Sequence, residues 1–191
     1  MKAGKTIETD RLILRHWQAD DLDAFHSLNS DETVMHFFPF RRSRAQSLEM
    51  FKNIAATVAK GGITWCAAEL KQEGKVVGFT GLAEVKFEAS FTPAVEIGWR
   101  FLPAYWGNGY ASEAAAALLD HGFSDLGLSE IVAFAVPANT ASTAVMKRIG
   151  MTATPELDFD MPGIDAEFAH LRRHAVYKIT RGEWQDFVTS S

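Results

Sequence analysis

Apolar and polar residues alternate strictly between 95 and 101, where Val95, Ile97, Trp99 and Phe101 are interleaved with Glu96, Gly98 and Arg100. A period of two predicts a strand. Pro103 stops it, and Gly107 and Gly109 permit a tight turn. Beyond the turn the period changes: Ala111, Ala114, Ala115, Leu118, Leu119, Phe123 and Leu126 recur at helical spacing, and Gly127 sits where a helix ends. Strand, glycine turn and helix start form the centre of the chain.

The flanking pattern completes a β-α-α-β-β-β-α-β-α-β-β order. Residues 1–10 are a polar lead-in, and Leu12, Ile13 and Leu14 begin a strand that ends near Trp17. Asp20 or Asp21 is placed to cap a helix carrying Leu22, Phe25 and Leu28. Residues 31–42 are irregular and aromatic. Ser43 and Gln46 have capping-box spacing before a second helix, which Gly61 and Gly62 end. Ile63–Leu70 and Val76–Val85 form a hairpin across Glu73-Gly74-Lys75, and with strand 95–101 an antiparallel meander. Ile131–Val136 is continuously apolar, as in a strand covered on both faces, and the helix before it implies a parallel crossover. Asn139 caps a helix with Ala141, Ala144, Val145 and Ile149, ending at Gly150. An acidic loop over 152–167, a strand over Ala169–Ile179 and a short helix capped by Thr180 and Glu183 close the chain.

Composition narrows the class. A chain of 191 residues with 47% hydrophobic content is read as one domain. A net charge of −5 argues against general nucleic-acid binding, and Arg41, Arg42 and Arg44 read as a solvated helix start. The lone cysteine, Cys66, lies in an apolar strand and reads as buried; with no disulfide available, the chain is expected in the cytoplasm. No apolar run is long enough for a membrane span. His16, His26, His36, His121 and His170 have no ligand spacing, so no metal is expected.

A helix N-terminus preceded by glycines offers bare N–H groups and positive potential, a natural seat for a phosphate. The same turn is also a common strand-to-helix connection. There is no G-x-x-x-x-G-K-[ST] run. G-N-G-Y-A-S lacks the third dinucleotide-fold glycine, and Glu130 begins the next strand instead of ending it. W-G-N-G-Y-A instead resembles the Q/R-x-x-G-x-G/A acyl-coenzyme A loop of the GNAT N-acetyltransferases, with Trp106 in place of the usual Gln or Arg. P-A-Y-W-G-N-G-Y-A-S-E-A and the opening T-D-R-L-I-L-R resemble the branch of the ribosomal-protein alanine and serine N-terminal acetyltransferases. N-T-A-S-T-A-V-M-K-R-I-G-M is similar to the family's N-x-x-S-x-x-V-x-x-x-x-G-F segment, with Met151 for phenylalanine.

The resemblance covers nearly the whole chain, with a core at about 11–182. It implies an α/β GNAT fold: a mixed, mostly antiparallel sheet of six to seven strands with helices on both faces. It implies acetyl-CoA as co-substrate and an amine acceptor, either a protein N-terminus or a small molecule, and leaves a homodimer open. Trp106, Gly107, Asn108, Gly109, Tyr110, Ala111 and Ser112 would hold the pyrophosphate. Backbone groups at Trp99 and Phe101 would pair with the pantetheine arm between splayed strands, and Asn139 would contact that arm. Ser142 would protonate the departing thiolate and Glu96 would serve as base. Read without the resemblance, Asn139 is a cap, Ser142 a first-turn polar residue, and Glu96 a surface or Arg100-paired strand residue.

The amine must be neutral to attack. At pH 7 about 1 in 2,500 lysine side chains is neutral, against roughly one in ten α-amines. An α-amine therefore needs less help from a base. Glu156, Asp158, Asp160, Asp165 and Glu167 form either a cation-attracting wall or a solvated loop. His174 and Tyr177 match an H-x-x-Y pattern and are expected to be structural. Transfer to a xenobiotic such as an antibiotic and an acyl-CoA-binding module without transfer are the alternatives.

Overall fold

The structure is a computed structural model that describes residues 6–190, so the first five residues of the polar lead-in lie outside it. Its elements are β1 (Ile7–Glu8), β2 (Leu12–Arg15), α1 (Leu22–Ser30), α2 (Arg44–Ala59), β3 (Trp65–Leu70), β4 (Lys75–Glu84), β5 (Val95–Phe101), α3 (Tyr110–Ser124), β6 (Glu130–Ala135), α4 (Thr140–Arg148), β7 (Thr152–Ala153), β8 (Phe159–Asp160), β9 (Arg173–Thr180) and α5 (Arg181–Ser190). The sheet runs β1-β2-β3-β4-β5-β6-β9-β7, with β8 also on β9. Every pairing is antiparallel except β5 with β6. Six strands have four or more residues, as expected; β1, β7 and β8 are two-residue additions at turns.

The two faces of the sheet bury different helices. Ile97 and Phe101 of β5, Leu82 of β4, and Ile131 and Ala133 of β6 pack with Leu118 and Leu119 of α3 and Trp184 of α5. On the opposite face Phe79 packs with Phe25 and Leu28 of α1 and Ile54 of α2. The alternation read in β5 therefore separates a core face, 95/97/99/101, from a face turned toward α1 and α2, 96/98/100. The β4–β5 register is unbroken from Gly78–Phe101 to Glu84–Val95, so no bulge changes the side of Glu96.

Local signals hold well. Ser43 Oγ accepts from Gln46 N at 3.3 Å and Gln46 Oε1 from Ser43 N at 2.9 Å, the expected box on α2. Thr180 and Glu183 form the same box on α5. Three expectations change. Asp21 accepts from Gln18 N at 2.7 Å and from Arg15, and its side chain does not cap α1. The last strand starts at Arg173, because 166–171 coils into 3-10 turns. Arg42 is not a solvated helix-start residue: its Nη1 is buried, whereas Arg41 and Arg44 are exposed beside Glu32 and Asp23. No helix among the described residues is long and apolar enough to cross a membrane.

Candidate active site

Gly107 and Gly109 adopt φ of +77° and +81°, a region that residues with a side chain resist. Gly109 is the N-cap of α3 and supplies no side-chain cap, so the first-turn N–H groups of the helix face outward uncapped. A Cβ at Gly107 would meet nothing within 4 Å, which leaves bare backbone open to a ligand. The half-exposed Trp106 is tied down by its indole Nε1, which donates to Phe101 O at 2.6 Å. Asn108 Nδ2 donates to Trp106 O at 3.1 Å.

Two arginines that the motif reading missed border this turn. Arg11 donates to Asn108 O at 2.9 Å, lies 4.6 Å from the centre of the Tyr110 ring and pairs with Glu113 at 2.6 Å. Arg148, at the end of α4, donates to Ser112 Oγ at 2.9 Å. Neither was visible from spacing, because each comes from an element distant in sequence.

The turn opens onto a gap in the sheet. β5 and β6 pair at one position, Glu96 with Val132, and separate beyond it. Leu102 N donates to Val77 O and Val85 N to Ala94 O, so even-numbered residues of β5 bond β4. By the alternation of an antiparallel ladder, Trp99 and Phe101 direct their backbone groups the other way, into the gap. The Phe101 carbonyl is already taken by the Trp106 indole; the remaining N–H and C=O groups line a strand-shaped vacancy.

Glu96 and Arg100 share the opposite side-chain face of β5. Burial pushes the Glu96 carboxyl up to about 7, with Arg100 pulling weakly against it. Arg100 is not the ion-pair partner of Glu96: it donates to Asn29 Oδ1 at 2.7 Å and lies 4.6 Å and 4.7 Å from the ring centres of Phe38 and Phe79. Along the same face of β6 and β9, Phe134, Phe159 and His174 join Phe87 and Phe91 in an aromatic wall; Phe159 and His174 stack at 5.5 Å. Burial lowers the His174 pKa, with Arg172 O and Asp160 opposing it. Tyr177 points into the opposite core, because residues three apart on a strand face opposite sides.

Asn139 Oδ1 accepts from Ser142 N at 3.1 Å, so Asn139 does cap α4, and it holds Ser142 in the first turn where β6 ends. The acidic loop is partly structural. Asp158 accepts from Val176 N at 2.9 Å, and Asp160 reaches Arg173 at 3.5 Å. Burial drives the Cys66 thiol to about 12, which leaves it an inert core side chain. Among the described residues, His, Cys, Asp and Glu form no group of three that could hold a metal ion.

Known proteins are similar to this chain in sequence and fold. The family model described as an acetyltransferase (GNAT) domain matches residues 11–152. The FsC-acetyl coenzyme A-N(2)-transacetylase of Aspergillus fumigatus is 32% identical over 194 residues, covering 96% of this chain and 80% of that protein. The N-acetyltransferase YnaD of Bacillus subtilis is 34% identical over 147 residues, covering 76% of this chain and 81% of its own length. A GNAT-family acetyltransferase from Bacillus anthracis superposes with a TM-score of 0.76 at 29% identity, covering 93% of this chain and 99% of that one. The chain belongs to the GNAT family and is an acetyl-CoA-dependent acetyltransferase.

Proposed function

We propose that this enzyme transfers acetyl from acetyl-CoA directly to a primary amine, either a protein N-terminal α-amine or a small-molecule amine. The observation that carries the reading is the β5–β6 gap, which joins the open turn before α3 to the face that bears Glu96. The turn from Trp106 to Ser112 fits a pyrophosphate: uncapped N–H groups, bare glycine backbone, and Arg11 and Arg148 alongside. The free backbone groups of Trp99 and Phe101 suit the amides of a pantetheine arm, which would lie in the gap as a missing strand. An N–H in that row would polarise the thioester carbonyl.

The chemistry asks for one base and one acid. The neutral amine attacks the carbonyl carbon, the C–N bond forms and the C–S bond breaks. The amine proton passes to Glu96, and the thiolate takes a proton from Ser142, which solvent re-protonates while Glu96 returns its proton to solvent. A carboxyl near 7 is tuned for that exchange at neutral pH. Asn139 contributes by fixing the first turn that carries Ser142.

The test is free-thiol release from acetyl-CoA across N-terminal peptides and small amines, run beside a thermal-shift titration with CoA. Turnover with one amine class names the acceptor. CoA at 100 times its Kd should add about 2.7 kcal/mol of stability. A full CoA shift with no turnover for any amine would favour the binding-module reading, and no CoA shift would remove the assignment of the turn.

A further inference from the structure

A cavity of about 540 Å3 lies between α2 and the segment before it, with Arg42, Glu49, Met50 and Ile54 in its walls and Thr64 and Trp65 at its floor. One lining residue, Trp65, also packs on the face of β5 that carries Glu96. Trp65 pairs with Gly81 on β4, and Gly81 pairs with Gly98 on β5. A Cβ on Gly98 would sit 3.0 Å from the Trp65 ring, so the indole extends across this glycine row, and Glu96 is the next residue on the same face.

Positive charge gathers at this end of the site. Arg42 Nη1 is buried with no hydrogen-bond partner. A buried guanidinium N–H left unpaired is costly and points to an absent acceptor atom. The guanidinium lies 4.6 Å from the Phe40 ring centre, and the residue is anchored through its own N–H to Asn29 O at 2.9 Å. Asn29, fully buried, also holds the Arg100 guanidinium through Oδ1, so its carbonyl fixes the backbone of Arg42 and its side chain fixes Arg100. Burial lowers the pKa of Arg42 with no carboxylate, Glu49 included, to offset it. Arg100 is lowered to about 10 by burial and by Arg42 itself, with Glu96 pulling the other way.

Resting on the transferase reading above, we propose that the acceptor is a small amine that also carries a carboxylate, and that this carboxylate binds Arg42 in the α2 cavity while the amine reaches Glu96. Arg42 has no carboxylate offsetting its burial and sits beside a second cation, which favours an anion, and a cavity of this size suits an amino-acid-sized molecule better than a folded protein. Arg100 stays behind the contact, held by Asn29 and its two rings, and adds its field.

The experiment compares the twenty amino acids with their primary amides in the thiol-release assay, together with peptides ending in a free acid or an amide. The acids should show KM lower by at least about tenfold, the worth of one charge-assisted hydrogen bond. Arg42→Gln should abolish that gap by raising KM for the acids alone, with kcat retained, and Arg42→Lys should keep the direction of the preference. Preference for acidic peptides with no turnover of free amino acids would overturn the small-acceptor assignment. Independently of turnover, N-acetylglycine, which has a carboxylate and no free amine, should shift the Arg42 Nε–H NMR signal saturably in the wild-type protein and leave Arg42→Gln without a comparable response. Equal KM for acids and amides, or no N-acetylglycine response in the wild type, would overturn the proposal. Absence of turnover with every amine would instead count against the transferase reading, and the NMR titration would still decide the anion site.

Discussion

Glu96 concentrates the residue-scale chemistry. With Glu96 as the proposed base, its raised pKa predicts that kcat/KM climbs with pH through about 7 as the carboxyl ionises. Glu96→Gln should lower kcat/KM by roughly 10²–10⁴ and remove that limb of the profile, as read by thiol release from pH 5.5 to 9. The same shift has a stability consequence. A carboxyl whose folded pKa exceeds its ordinary 4.5 favours the folded state only while protonated. The wild type should therefore lose stability relative to Glu96→Gln as pH rises from about 4.5 to about 7, in paired denaturant titrations. Ser142→Ala should cut kcat by at least ~10-fold with KM for acetyl-CoA nearly unchanged, if Ser142 supplies the thiolate proton.

At the scale of elements, the connection between β5 and α3 and the caps of the helices make separable predictions. Gly109→Ala forces a side chain into φ of +81°, at a cost of about 1–2 kcal/mol, and misplaces the first turn of α3. The expected signature is a raised KM for acetyl-CoA with a lowered Tm. Ser43→Ala removes the box on α2 and should cost about 1 kcal/mol, a fall in Tm of roughly 2–4 °C, with unchanged kinetics at low temperature. These elements were legible because their signals are local. Alternation, glycine before a helix and S-x-x-Q or T-x-x-E spacing depend on neighbours within a few residues. The 152–172 region was less legible: its two short strands form by pairing with β9, and 3-10 turns occupy 169–171 where the strand was expected to start.

For the whole molecule, the acidic loop illustrates how tertiary contact reassigns a charge. Asp158 looked like part of an electrostatic wall, yet it closes the ladder edge by accepting the Val176 N–H. Asp158→Ala leaves that donor unpaired, so it should lower stability by about 1–3 kcal/mol while the KM for the acceptor stays the same. The sequence by itself determined the order of elements, the open turn before α3, the two cofactor-like motifs and the family, because each is written in short-range periodicity or in contiguous residues. It also placed Glu96 and Arg100 on one side of one strand. Only the tertiary structure decided which helices that side meets, and the register of β4 and β5 settled it. It alone brought Arg11 and Arg148 to the turn and turned Arg42 from a solvated charge into a half-buried one with a buried Nη1. Burial and electrostatic partnership are sums over residues distant in the chain, and no local pattern encodes them.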